Sequence, residues 1–308
     1  MNTSTGRWQL GFTMSFTTAV LWGFLPIALK VLLAGMDAYT IIWWRFALSM
    51  LGLGAFLASR GQLPRLRGAG RSAWLLLGIA LVTLLANYVL YLNSLDLTSP
   101  SIAQVVIQLA PLLLLLGGVF VFRERFAPRQ WLGFVVLTVG LLLFFNRRLP
   151  ELARPTAGFG LGVALMIGAA IAWAIYGLAQ KLLLPVFKSR QVLWMLYVGA
   201  SIALLPVAAP LEVLKLDGLQ LAMLAFCSAN TLVAYGAFGE ALHYWDVSRV
   251  SAVIATAPLF TMASMWLIGR LGWHLLPPEG LNVWSIIGAL AVVAGSMTCA
   301  LAARAEIS

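Results

Sequence analysis

An apolar run from Gly11 to Leu33 is followed along the chain by nine more, each about 16–25 residues long and each bounded by polar loops. A helix of roughly 20 residues covers the ~30 Å of hydrocarbon in a bilayer. In that hydrocarbon no water can satisfy backbone N–H and C=O groups, so each run must bond its peptide groups internally, as an α-helix. The spans are read at 11–33, 39–57, 73–93, 102–122, 130–145, 159–182, 192–209, 218–242, 250–268 and 283–301. The expected fold class is an all-α polytopic membrane protein with ten transmembrane helices. The first span is longer than a signal-peptide core and no small-residue cleavage site follows it cleanly, so it is expected to be retained.

Composition supports this environment. The 308 residues are 62% hydrophobic and 10% charged, with mean hydropathy +0.95, where a soluble domain has roughly 45–50% and about 25%. The net charge of +10 would suggest nucleic acid in a soluble chain. Here the Lys and Arg residues lie in loops between apolar runs, so the bilayer is the expected partner and nucleic acid is not. With the N-terminus inside, thirteen Lys and Arg residues fall on the cytoplasmic side and six on the other, which puts both termini in the cytoplasm. Arg147 and Arg148 run against that bias. Cys227 and Cys299 lie inside spans without ligand-like spacing and read as small packing residues.

Polar residues on two neighbouring spans fall into stripes. Thr83, Asn87, Tyr91 and Ser94 recur on one face of span three, and Ser101, Gln104, Gln108 and Pro111 on one face of span four. An amide facing lipid would lose its hydrogen bonds at several kcal/mol each, so both stripes are expected to look inward. Either they line a substrate path or they hold helices together; two facing stripes favour the path.

The chain also repeats. Trp22 and Lys30 match Trp173 and Lys181 at an offset of 151, and Tyr88, Ser101 and Pro111 match Tyr235, Ser248 and Pro258 at 147. Gly133 and Gly140 match Gly288 and Gly295 at 155. The units are residues 11–145 and 159–301, joined by a polar connector at 146–158 containing Pro150 and Pro155. Each unit has five spans, an odd number, so the second must be inserted upside down. Two inverted five-helix repeats around a midplane site are an arrangement typical of secondary transporters.

Several motifs carry a resemblance to a known family. Leu21-Trp22-Gly23-Phe24 running on to Lys30, Trp44-Arg45-Phe46, the stretch from Leu95 to Pro111, Arg123-Glu124-Arg125-Phe126 and Gln130-Trp131-Leu132-Gly133 followed by Gly140 are similar to the EamA-type drug/metabolite transporters. The second half departs from the pattern, with Gly269-Arg270-Leu271 where the glutamate-containing turn would be. The resemblance implies a ten-helix carrier in a bacterial inner membrane, moving amino acids or other small metabolites, often outward. It names no substrate, and a homodimer remains an open assembly state.

Further candidates follow from position. Arg45, about six residues into span two, either snorkels to the interface beside Trp43 and Trp44 or faces a cavity. Trp173, Tyr176 and Gln180 share a face of span six, and Thr231 and Tyr235 share one of span eight. Asn230 is a mid-span amide expected to line the cavity. The expected substrate-binding set is Arg45, Asn87, Tyr91, Gln104, Gln108, Trp173, Tyr176, Asn230 and Tyr235, with Pro26, Pro111 and Pro258 as hinges.

Catalysis finds no support. His243 and His274 are near span ends, no carboxylate lies mid-span, and Glu124 between two arginines reads as a structural charge pair. There is no clustered Asp for a metal and no phosphate-binding glycine loop, so neither metal, cofactor nor ATP chemistry is expected. A carrier or a ligand-binding receptor or scaffold remains, and inverted halves favour the carrier. Without a mid-membrane acid, facilitated diffusion or exchange is expected, with Glu240 the one residue that could couple a proton.

Overall fold

The computed structural model describes residues 8–64, 70–122, 128–147, 149, 158–244, 247–272, 276–277 and 279–302. The Arg123-Glu124-Arg125 cluster, Pro150, Pro155, His274 and the loop charges Arg7, Arg65, Arg67, Arg148, Arg154 and Arg304 lie outside them. The described residues are all-helical, with no strand among them. In chain order the helices are α1 (Trp8–Leu33), α2 (Ala38–Ser59), α3 (Arg71–Leu97), α4 (Pro100–Val106), α5 (Leu109–Phe122) and α6 (Pro128–Phe144). Then come α7 (Gly158–Leu183), α8 (Ser189–Leu204), a 3-10 turn at Pro210–Lys215, α9 (Gly218–Tyr244), α10 (Val247–Ile254), α11 (Ala257–Arg270) and α12 (Val283–Ala302). Six of the described helical segments are long and apolar enough to cross a membrane, and three shorter apolar ones accompany them.

Spans four and nine are each broken in two. Pro111 has no N–H to give Ile107 O, and Ala110 N bonds that carbonyl at 2.9 Å instead. Gln108 N likewise turns to Val105 O at 3.3 Å. The α4/α5 break at Ile107–Gln108 is the result. The second break, at Ala255–Thr256, stands before Pro258 in the same way, with Leu259 N on Thr256 O at 2.9 Å. Around Pro26, by contrast, α1 runs on without interruption. Span seven is shorter than the sequence predicts, since α8 stops at Leu204. Pro206 has no N–H to continue the helical bonding, and the chain turns to the 3-10 segment, where Leu211 and Leu214 are exposed.

The two halves interleave. The helices α1 and α9 pair closely, as do α3 and α7, and α2 packs on α8. The tightest seam is between α6 and α12, where glycines bring backbone against backbone. A Cβ on Gly140 would stand 2.6 Å from Val292 N and 2.8 Å from Gly288 O, and one on Gly295 would stand 2.6 Å from Gly133 O. At the ends of α3 and α4 two charged side chains serve as caps. Lys30 Nζ donates to Leu95 O at 2.7 Å and Asp96 O at 2.6 Å, and Glu279 Oε1 accepts from Ser101 N at 3.0 Å.

Candidate substrate cavity

A cavity of about 340 Å³ lies between the halves, where both breaks converge. Seven of the nine expected site residues line it: Arg45, Asn87, Tyr91, Gln104, Gln108, Trp173 and Tyr235. The rest of the wall is largely apolar, with Trp22, Phe238 and several Leu, Ile and Ala side chains.

The amides do two jobs. Each lines the cavity, and each donates across to the backbone of another helix. Asn87 Nδ2 reaches Ala169 O on α7 at 2.8 Å, and Gln104 Nε2 reaches Trp22 O on α1 at 3.3 Å. Gln108 Nε2 reaches Ala255 O at 3.0 Å, while its Oε1 accepts from Ser296 Oγ at 3.4 Å. Ala255 O is a carbonyl released by the second break, so Gln108 satisfies a group that proline chemistry left open. The two residues are 147 positions apart, the offset that also relates Pro111 to Pro258.

Arg45 does not snorkel. It is 3% exposed, and its neighbours Trp43 and Trp44 are themselves tied inward, to Ser201 O and Pro210 O. Its guanidinium sits 4.8 Å from the centre of the Tyr88 ring. Nε and Nη2 donate to Thr231 Oγ1 at 3.4 and 3.3 Å, the one hydrogen-bond acceptor they meet among the described residues. Thr231 is free to accept because its own proton goes to Cys227 O at 2.9 Å. No carboxylate pairs with Arg45 among the described residues. Removing a cation from water costs several kcal/mol even after relaxation, and a cation–π contact returns about 0.5–2 kcal/mol.

Tyr176 and Asn230 do not join the lining. Tyr176 shares the helical face of Trp173, but it is 3% exposed, packed into the core beyond the wall. Asn230 is one residue short of the face that Thr231 and Tyr235 present, and its Nδ2 bonds Leu21 O at 2.7 Å as a strut between α9 and α1. Three members of the stripes also fall elsewhere, among them Ser101 at the start of α4, outside the lining. Thr83 bonds back to Ile79 O at 2.7 Å, and Ser94 Oγ closes the α3/α7 seam on Gly162 O at 2.6 Å. Glu240 is outside the lining and pairs with Arg190 at 2.8 Å.

Among the lining residues outside the expected set, six carry an aromatic ring, a hydroxyl or a thiol: Trp22, Tyr88, Phe238, Ser251, Ser296 and Cys299. The repeat carried the signal for two of them. Trp22 and Tyr88 are the counterparts of Trp173 and Tyr235, which were expected to line the site. Trp22 also stacks edge-on against Tyr235, ring centres 5.4 Å apart.

Comparison with known proteins places this scaffold. The EamA-like transporter family matches residues 9–146 and 160–300, one match in each half. The chain belongs to that family. It is 42% identical over 297 residues to an uncharacterized transporter of Haemophilus influenzae, covering 95% of both chains. It is 40% identical to the uncharacterized inner membrane transporter YhbE of Escherichia coli K12, covering 96% of this chain and 92% of the other. A probable amino-acid metabolite efflux pump of Salmonella typhimurium is more distant, at 25% identity over 92% of each chain. A crystal structure covering 97% of this chain superposes with a TM-score of 0.64 at 18% identity, a likeness of fold alone. Apolar helices, EamA membership and inner-membrane relatives together support a multi-pass inner-membrane transporter.

Proposed function

We propose that this EamA protein is a secondary carrier that moves small metabolites, amino acids among them, outward or in exchange, by alternating access through the cavity between its halves. One observation carries the reading. Gln108 and Ala255 stand at the same place in the two repeats, and the side chain of one bonds the carbonyl of the other. Equivalent positions touch where a local two-fold axis passes between them. The cavity, both breaks and the pairs Trp22/Trp173 and Tyr88/Tyr235 gather at that point.

Two five-helix repeats with an axis in the membrane plane would be inverted, ten helices in all, with both termini cytoplasmic. The interleaved pairing of α1 with α9 and α3 with α7 supports this. Broken helices at a midplane site are the usual hinges of such carriers, and here Pro111 and Pro258 stand just after the breaks. Arg45, Asn87, Tyr91, Gln104, Gln108, Trp173 and Tyr235 form the binding surface in this reading, and Tyr176 and Asn230 support it from behind. The amino-acid class rests on the efflux-pump relative and on a cavity whose polar groups are few and convergent. The test is efflux of labelled amino acids and nucleosides from loaded proteoliposomes. Saturable efflux that needs the protein is expected; binding without flux would favour a receptor.

A further inference from the structure

We propose that the substrate of this cavity is an organic monoanion, a carboxylate on an apolar body, and that Arg45 is the residue that reads its charge. The inference rests on the carrier reading above and adds the chemical class of the cargo.

Arg45 brings a guanidinium cation into a largely apolar site. The described residues supply no counter-ion. No Asp or Glu lines the cavity, and no carboxylate pairs with Arg45 among the described residues. Five N–H donors on a planar fork are matched by one threonine oxygen at 3.3–3.4 Å. The remaining donors suit a carboxylate, which takes two parallel N–H bonds from a guanidinium. A single cation suits a single negative charge; a phosphate dianion would ask for a second, and the described residues of the lining hold none.

The aromatic and aliphatic lining sets the rest of the molecule. Trp22, Trp173, Tyr235 and Phe238 present aromatic surface, and Leu and Ile side chains accompany them. One N–H of each of the Asn87 and Gln108 amides is already held by a backbone carbonyl, which leaves each amide part of its hydrogen-bonding capacity for cargo. An α-amino group is tolerated in this scheme and is not required, since no acidic side chain lines the cavity among the described residues.

The probes are phenylalanine, 3-phenylpropanoate, octanoate and phenethylamine, with binding measured on purified full-length protein and flux measured in proteoliposomes. The two carboxylates that lack an amino group are expected to bind within about tenfold of phenylalanine, and the amine to bind about 100-fold more weakly or not at all. Arg45→Gln should remove that preference, and Arg45→Lys should retain part of it, because a point charge lacks the fork. If neither 3-phenylpropanoate nor octanoate binds below about 10 mM, or the amine binds as well as they do, the proposal is overturned. Wild-type protein alone decides between these outcomes, so misfolding of a variant does not blunt the test. Carboxylate binding without flux would instead refute the carrier and leave the anion site standing.

Discussion

Replacing Gln108 by leucine should weaken the protein at the point where its halves meet. The side chain is 6% exposed, and its Nε2 is the donor that Ala255 O receives at 3.0 Å. In an unbroken helix Leu259 N would serve that carbonyl, but it bonds Thr256 O. Leucine has similar bulk and no donor, so the carbonyl would be left buried and open. An orphaned buried acceptor costs about 1–3 kcal/mol, or roughly 5- to 150-fold in the population of the native break. Water entering from the cavity would bring the figure toward the low end. Ser296 Oγ, 3.4 Å from Oε1, is a weak partner and adds little. The assay pairs thermal unfolding in detergent, followed by tryptophan emission, with efflux from proteoliposomes. Gln108→Leu should melt lower and lose most of its flux, and Ser296→Ala should behave almost as wild type. Wild-type melting and flux in Gln108→Leu would refute the reasoning, and would make the bond to Ala255 incidental.

Three further outcomes are expected. Gly140→Ala should lower accumulation and melting temperature, since its Cβ would strike backbone of α12 at 2.6 Å, and overpacking of this kind costs about 1–3 kcal/mol; Gly78→Ala, with open space around it, is the control, and equal behaviour of the two would count against the glycine seam. A reporter active only outside the cytoplasm, fused after Ser308, should stay silent, and strong activity would overturn the cytoplasmic placement of the termini. Substrate efflux should produce no stoichiometric pH change in vesicles carrying a trapped dye, because Glu240 is engaged by Arg190 outside the cavity lining. A proton signal that disappears in Glu240→Gln would make that residue the coupling site.

The sequence by itself determined the helices, the environment and the repeat. Apolar runs of membrane-spanning length admit one backbone solution, and the recurrence of Trp22, Tyr88 and Pro111 in the second half can be read without coordinates. Prolines at 111 and 258 even marked where two helices would break, to within a few residues, because the lost N–H acts on the turn before it. Only the tertiary structure decided what each polar face met. Periodicity fixes an angle around a helix axis and says nothing of what stands opposite. A seam and a wet cavity both keep amides away from lipid, so Ser94 and Gln104 carried the same signal, yet one closes the α3/α7 seam and the other lines the cavity. Tyr176 and Asn230 were separated from the site in the same way, by the neighbours they happened to face. Arg45 shows the divide most clearly. Its cost in the membrane was legible from one letter, but whether its guanidinium reached the interface or turned inward depended on Tyr88 and Thr231, which lie 43 and 186 residues away along the chain and come together only in the fold.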